Sequence, residues 1–321
     1  MGQVWRDILT AFVMGAVLPA VILRLGVLVM QPDVESEPVA EVIATEPREY
    51  REILFRDDAG NLSTMELEEY LVGAILAEMP ASFEEEALKA QAVAARTYAA
   101  RAYETGGKHL DHSVCGSYAC CQAYMDPADY LLRGGTQISV DKIRAAVLAT
   151  AGEVLTYEGE LIEATYFSCS GGRTEDAIAV WGTDFPYLRS VESPGEEEAS
   201  VYQDSKSFTA QEFRQALGRT LPGSPDTWFG SLTHTPGQGV DTLQICGEAW
   251  SGKTLRTLLG LRSTMFTVET EGDSIVFHTR GYGHRVGMSQ YGADAMAAAG
   301  QDYRQILMHY YQGTSIEKWR N

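Results

Sequence analysis

From Ile8 to Met30 the chain is almost uninterruptedly apolar, ILTAFVMGAVLPAVILRLGVLVM, broken only by Pro19 and Arg24. As a helix this run is long enough to cross roughly 30 Å of hydrocarbon, so it divides the chain before any fold is considered. Arg24 lies close enough to one end to snorkel to the interface. Arg6 and the amino terminus precede the run, whereas Gln31–Glu49 is acidic and proline-containing with Arg48 as its one base. That asymmetry predicts a cytoplasmic stub (1–7), a transmembrane helix (8–30) and everything else outside the cell membrane. A cleaved signal peptide is the competing reading, against which stands the lack of a clear small-x-small site after the run. Residues 31–49 offer no apolar periodicity and read as a linker.

Residues 50–316 are expected to form one α+β domain, divided at most into two lobes, with 317–321 as a tail. A strand (Glu52–Arg56) precedes an Asp-Ala-Gly-Asn turn. Ser63 with Glu66 and Ser82 with Glu85 have the spacing of capping boxes, predicting two helices. The first stops at Met79-Pro80 and the second, alanine-rich, stops at Gly106-Gly107. Further helices are expected near Lys142–Thr150, Ala210–Leu217, Gln290–Ala299 and Tyr303–Tyr311. Strands are expected at Glu153–Tyr157, Leu161–Ser168, Val240–Cys246, Phe266–Thr270 and Ser274–Thr279. This irregular order favours α+β over a doubly wound sheet. No repeat of fixed period and no phosphate-cradling glycine loop occurs, which argues against a nucleotide cofactor. The formal net charge of -19 argues against nucleic acid as a partner but not against a sugar polymer.

Chemistry concentrates in three places. Glu78 falls eleven residues after Leu67 and seven after Leu71, on the stripe that should face the core. A desolvated carboxyl there has a raised pKa, as a general acid needs, while the alternative is a structural glutamate paired with Lys89 or Arg96. Lys89 and Arg96 share a helix face with Glu85, a row that could bind substrate oxygens but reads on sequence alone as a solvated ion-pair row holding Glu85. Second, 280–293 (RGYGHRVGMSQYGA) places His284, Ser289, Gln290 and two tyrosines among glycines that let backbone approach a ligand; His284 alone reads as a packed core histidine. The Cys169-Ser170-Gly171-Gly172 loop lacks the G-x-S-x-G elbow of a serine hydrolase. Third, His109, His112, Cys115, Cys120 and Cys121 supply more donors than a tetrahedral zinc needs; a disulfide from Cys115 to Cys120 or Cys121 competes with that reading.

Three segments together, EEYLVGAILAEMPASFEEEALKAQAVAARTYAA (68–100), YFSCSGGRTEDAIAVWGTDFPYLRSVES (166–193) and RGYGHRVGMSQYGADAMAAAGQDYRQILMHYYQGT (280–314), resemble the stage II sporulation protein D family of peptidoglycan lytic transglycosylases. The resemblance implies that Glu78, the glutamate of Glu-Met-Pro, is the catalytic acid/base. It makes Lys89, Arg96, His284, Ser289 and Gln290 candidates for the substrate groove, and points to His109, Cys115, Cys120 and Cys121 as ligands of a structural zinc. It also implies glycan strands stripped of stem peptides as substrate, and a partner amidase, stage II sporulation protein P. A membrane partner, stage II sporulation protein M, and a place in the engulfing septal membrane are implied as well. Two departures from the family pattern are Tyr282, where tryptophan is commoner, and Arg285, where glycine is. The reading from another class is a non-catalytic wall-binding amidase enhancer; a zinc amidase would need an open metal position.

Overall fold

A hairpin opens the described chain: β1 (Glu52–Arg56) pairs antiparallel with β2 (Leu62–Glu66). The computed structural model describes residues 51–57, 59–111 and 113–319. The expected cytoplasmic stub, membrane helix and linker (1–49) and His112 lie outside them; among the described residues no helix is long and apolar enough to cross a membrane. The first capping box is corrected by the hairpin. Ser63 stands opposite Phe55 and Glu66 opposite Glu52, so both belong to β2. Helix α1 (Leu67–Glu78) begins only after Glu66, which makes no side-chain cap. Helix α2 (Glu85–Thr105) likewise starts after an uncapped Glu84 rather than from Ser82, and ends on Gly106, whose φ of 90° is left-handed.

Both helices are more deeply buried than amphipathic patterning suggests. Helix α1 is buried from Tyr70 to Leu76 without a break. Along α2, Ala87, Ala90, Ala92, Ala94, Ala95, Ala99 and Ala100 are all essentially inaccessible. With methyl groups in place of long side chains, neighbours approach α2 on all sides, as in close helix packing generally. These neighbours arrive in chain order. After α2 come β3 (Val114–Cys115, parallel to β1), α3 (Pro127–Leu132), α4 (Gln137–Ala149), β4 (Glu153–Tyr157), β5 (Glu160–Leu161), β6 (Tyr166–Phe167) and α5 (Ala177–Trp181). The strand expected over Leu161–Ser168 is thus two short pieces.

The chain then leaves this core and builds another. Strand β7 (Gln203–Thr209) leads through a complete Thr209/Glu212 capping box into α6 (Ala210–Leu217). Next come β8 (Phe229–His234), β9 (Val240–Ile245), β10 (Glu248–Ser251), α7 (Gly252–Leu259), β11 (Met265–Glu271) and β12 (Ser274–Arg280). They form two antiparallel sheets, β10-β9-β8 and β11-β12-β7. Their core is separate, centred on Phe213, Trp228, Phe266 and Phe277.

On return, β13 (Met288–Ser289) pairs parallel with β6, and α8 (Gln290–Ala298) and α9 (Tyr303–Tyr310) pack on α2. Gly287 makes that pairing possible: its φ is 82°, and a Cβ there would lie 2.0 Å from the Thr165 carbonyl oxygen. The expected tail is also corrected. Glu317 and Lys318 belong to β14 (Ser315–Lys318), antiparallel to β4, and Trp319 is buried with its indole N–H donating to Glu104.

Candidate active site

Glu78 is the last residue of α1. Met79 leaves the helix with extended φ and ψ and Pro80 follows, so the carboxyl projects from the helix end. It is half-buried, and its Oε1 accepts a 2.8 Å hydrogen bond from the Ala123 N–H. Among the described residues it has no ion-pair partner. Burial pushes its pKa above the ordinary carboxylate range, and the Ala123 N–H pulls back against that shift.

Two cavities meet at Glu78 and Ser168. The larger, about 750 Å³, is lined by the Cys120–Gln122 loop and by rings including Tyr118, Tyr166, Trp181 and Tyr282, with His284. The smaller, about 340 Å³, runs past Pro80, Tyr130, Gln290 and Tyr291. Together they make a groove with the carboxyl partway along it. Aromatic faces and scattered polar groups are what a sugar polymer needs from such a wall.

The donor to Glu78 is itself held. Gln122, next to Ala123, receives the Tyr70 hydroxyl on its Oε1 at 2.9 Å and donates its Nε2 to the Tyr166 hydroxyl at 2.8 Å. Just before it, His109, Cys115, Cys120 and Cys121 converge, with ligand atoms all within 4.8 Å of one another. His109 Nε2 is 3.6 Å from both Cys120 Sγ and Cys121 Sγ, and those sulfurs are 3.9 Å apart. Ligands at ordinary zinc bond lengths on a tetrahedron are separated by about 3.6–3.8 Å, so the donor set fits zinc and has no need of a spare. The three cysteines of the cluster stand as free thiols in this arrangement.

The five residues expected to accompany Glu78 do not all meet it. His284 lines the larger cavity between Phe167 and Trp181, ring centroids 5.5 and 5.3 Å away. Burial, then the Arg256 charge, push its pKa down to about 4, leaving a neutral imidazole whose Nδ1 accepts from the Val286 N–H. Gln290 lines the smaller cavity, buried, with its Nε2 lacking a partner among the described residues. The other three are engaged elsewhere. Lys89 pairs with Glu85 and Glu86 at 2.7 and 2.8 Å. Arg96 is wholly buried, gripping Glu68 at 2.6 Å and donating to the carbonyls of Val147 and Glu153. Ser289 caps α8 and donates to buried Glu196 at 2.5 Å.

Glu196 had no signal in the sequence, and Glu175 stood there only as a neighbour of the Cys-Ser-Gly-Gly loop, which read as a functional loop or an ordinary turn. Glu196 gathers Ser170, Gly171, Ser193 and Ser289 into one hydrogen-bonded knot, which is the work of the Cys-Ser-Gly-Gly loop. Glu175 faces Arg285, whose φ of 69° suits glycine. Here the arginine side chain holds that conformation by donating to the carbonyls of Ser170, Arg173 and Gly237.

The chain is 42% identical over 270 residues to stage II sporulation protein D of Bacillus subtilis (strain 168), covering 83% of this chain and 78% of that protein. It belongs to the stage II sporulation protein D family. The family described as stage II sporulation protein matches at residues 56–157, from β1 to the end of β4. The Bacillus amyloliquefaciens protein of the same name is 39% identical over 269 residues, 83% of this chain and 78% of its own. An amidase enhancer of Bacillus subtilis (strain 168) is 30% identical over 307 residues, 78% of this chain but 40% of that protein. The matched family region thus covers the Glu78 end of α1 and the cysteine–histidine cluster.

Proposed function

We propose that this member of the family is a peptidoglycan lytic transglycosylase with Glu78 as its acid and base. One observation carries the reading: a half-buried carboxyl without a cation partner among the described residues stands where two cavities join, so a strand lying through both passes over it. Its raised pKa leaves more of it protonated at a given pH than an ordinary glutamate would be, which favours the role of proton donor. Glu78 protonates the bridging oxygen after an N-acetylmuramic acid residue, and an oxocarbenium-like state forms. The carboxylate, steadied by the Ala123 N–H, then takes the proton of the C6 hydroxyl as that oxygen closes on C1. The product is a 1,6-anhydro sugar, and no water is consumed.

Hydrolysis by two carboxylates is the nearest alternative chemistry. Glu163 does line the larger cavity, but it is tied to Arg101 at 2.7 Å. Product mass separates the two, since hydrolysis adds one water.

His109, Cys115, Cys120 and Cys121 would hold a zinc ion with no open position, a structural role. Holding it, these four residues would fix the loop that presents Ala123. The reading places the enzyme on the outer side of the cell membrane, anchored by residues 8–30 and acting during engulfment. There it works on strands freed of stem peptides by an amidase like stage II sporulation protein P, beside a membrane partner like stage II sporulation protein M.

Glu78→Gln tests the assignment. Cleavage should fall by about 10²–10⁴-fold, the worth of a general acid, while strand binding persists. The 30% identity to an amidase enhancer gives a second reading, a wall-binding protein without chemistry of its own. Under that reading Glu78→Gln changes nothing and the unaltered protein releases no anhydro sugar.

A further inference from the structure

Among the described residues, the larger cavity holds one cation without a partner. Four charged side chains line it: Glu78, Lys108, Glu163 and Arg256. Glu163 is paired with Arg101, Glu78 accepts from the Ala123 N–H, and Lys108 donates to the Cys120 carbonyl. Arg256 is half-buried, and among the described residues its guanidinium makes no hydrogen bond and no ion pair. Its charge is felt at a distance by the neutral His284.

That isolation is not for want of acids. The chain carries 44 acidic residues against 25 Lys and Arg, and Glu78 and Glu163 line the same cavity, yet among the described residues none pairs with Arg256. Nor is Arg256 a stray surface residue. Helix α7 sinks Leu255 and Leu259 into the second core, and Lys253, one turn before Arg256 on the same face, donates to the Val180 carbonyl of α5 at 3.1 Å. The helix is thereby pinned against the wall of the cavity, and Arg256 is the side chain that residues 203–280 contribute to its lining. A partly desolvated guanidinium with unused donors is unfavourable until an anion arrives. Its flat fork of N–H groups matches a carboxylate with two parallel hydrogen bonds.

We propose that Arg256 is a specificity residue that binds the lactyl carboxylate of N-acetylmuramic acid. The inference rests on the glycan-cleaving reading above. In that polymer the lactyl group carries the stem peptide through an amide bond, and only removal of the peptide leaves a free anion. Arg256 therefore reads whether the peptide has gone.

The test uses glycan strands stripped by an amidase, half of them converted to neutral lactyl methylamides with carbodiimide and methylamine. Unaltered protein should prefer the free-carboxylate strands by about tenfold to a hundredfold in kcat/KM, the worth of a hydrogen-bonded charge. In Arg256→Gln that ratio should collapse toward one, with the loss in KM, and Arg256→Lys should restore part of it. A ratio unchanged in folded Arg256→Gln, or no preference in the unaltered protein, overturns the proposal. Binding of both strands to Glu78→Gln and to Glu78→Gln/Arg256→Gln separates this inference from the activity itself. If the unaltered protein cleaves neither strand the transglycosylase reading falls. Charge-selective binding that disappears with Arg256 then still upholds the carboxylate site, and equal binding of both strands refutes it.

Discussion

The helical lobe and the β-rich lobe inserted into it solve the same packing problem with opposite materials. Around α2 the interior is alanine on one side of each contact, so backbones lie close and tyrosines such as Tyr70, Tyr310 and Tyr311 fill the remaining space. Between β7 and β12 the interior is a ring stack, Phe213 against Trp228 and Phe277 at 6.0 and 5.9 Å. Close backbone packing leaves few ways to move, which suits the lobe that must hold the Glu78 carboxyl to its Ala123 donor. A small aromatic core can be placed as a unit, which suits a lobe that lends the cavity a single arginine. The two cores share no residue, and the buried Glu175–Arg285 group is one place where they are tied, beside the Lys253 bond to the Val180 carbonyl. Glu175 accepts from Thr235 and from the Gly237 N–H of the second lobe, while Arg285 donates to the Gly237 carbonyl.

The largest effect is expected inside the helical lobe. Arg96→Ala strands Glu68 and several carbonyls in a buried site, and removing one partner of such a pair costs about 3–5 kcal/mol. Urea denaturation should show one transition at a much lower midpoint. Weakened glycan binding at unchanged stability would instead return Arg96 to the groove, where the family resemblance placed it.

A smaller effect should separate the lobes. Glu175→Gln keeps the shape but removes the charge facing Arg285 and one good acceptor, at a cost of about 1–3 kcal/mol. Because the tie rather than either core is damaged, denaturation followed by tryptophan emission and by far-UV circular dichroism should cease to coincide. With Trp181 and Trp319 of the first lobe replaced by phenylalanine, the change in emission reports Trp228 in the second core, whereas most of the helix content lies in the first. Coincident curves would mean that the two cores unfold as one despite sharing no residue.

The same contrast decides what could be read from sequence. Helices α1, α2, α8 and α9 were legible from their periodicity and stops, and Glu78 from a carboxylate where a leucine belongs beside Pro80. The reason for its burial differs in part, because α1 is enclosed all round rather than along one stripe. Ser63 and Glu66 misled because an S-x-x-E spacing also fits a strand end, and only β1 across the hairpin decides between them. Lys89 and Arg96 share a face, yet that face is solvated near the start of α2 and buried one heptad on. The strand of Glu317 and Lys318 depends on β4, far away in sequence. Arg256 had no local signal at all, since its meaning comes from α5, which the insertion brings α7 to meet.

The mildest prediction bears on the rigid lobe itself. Burial raises the Glu78 pKa in the folded chain above its value in the unfolded one, so the folded state holds that proton more tightly. Stability linked to it is fully present below the ordinary carboxylate pKa and is lost as pH rises through the folded pKa. Glutamine has no proton to lose. Glu78→Gln should therefore gain on the unaltered protein as pH rises through that window and level off above it, measured as the difference in urea midpoint between pH 4 and pH 8. Cleavage by the unaltered protein should decline over the same window as the acid form disappears. A midpoint difference that does not change with pH would mean that the carboxyl meets water as freely in the folded chain as in the unfolded one, and the close-packed lobe would then lose its claim to be what makes Glu78 an acid.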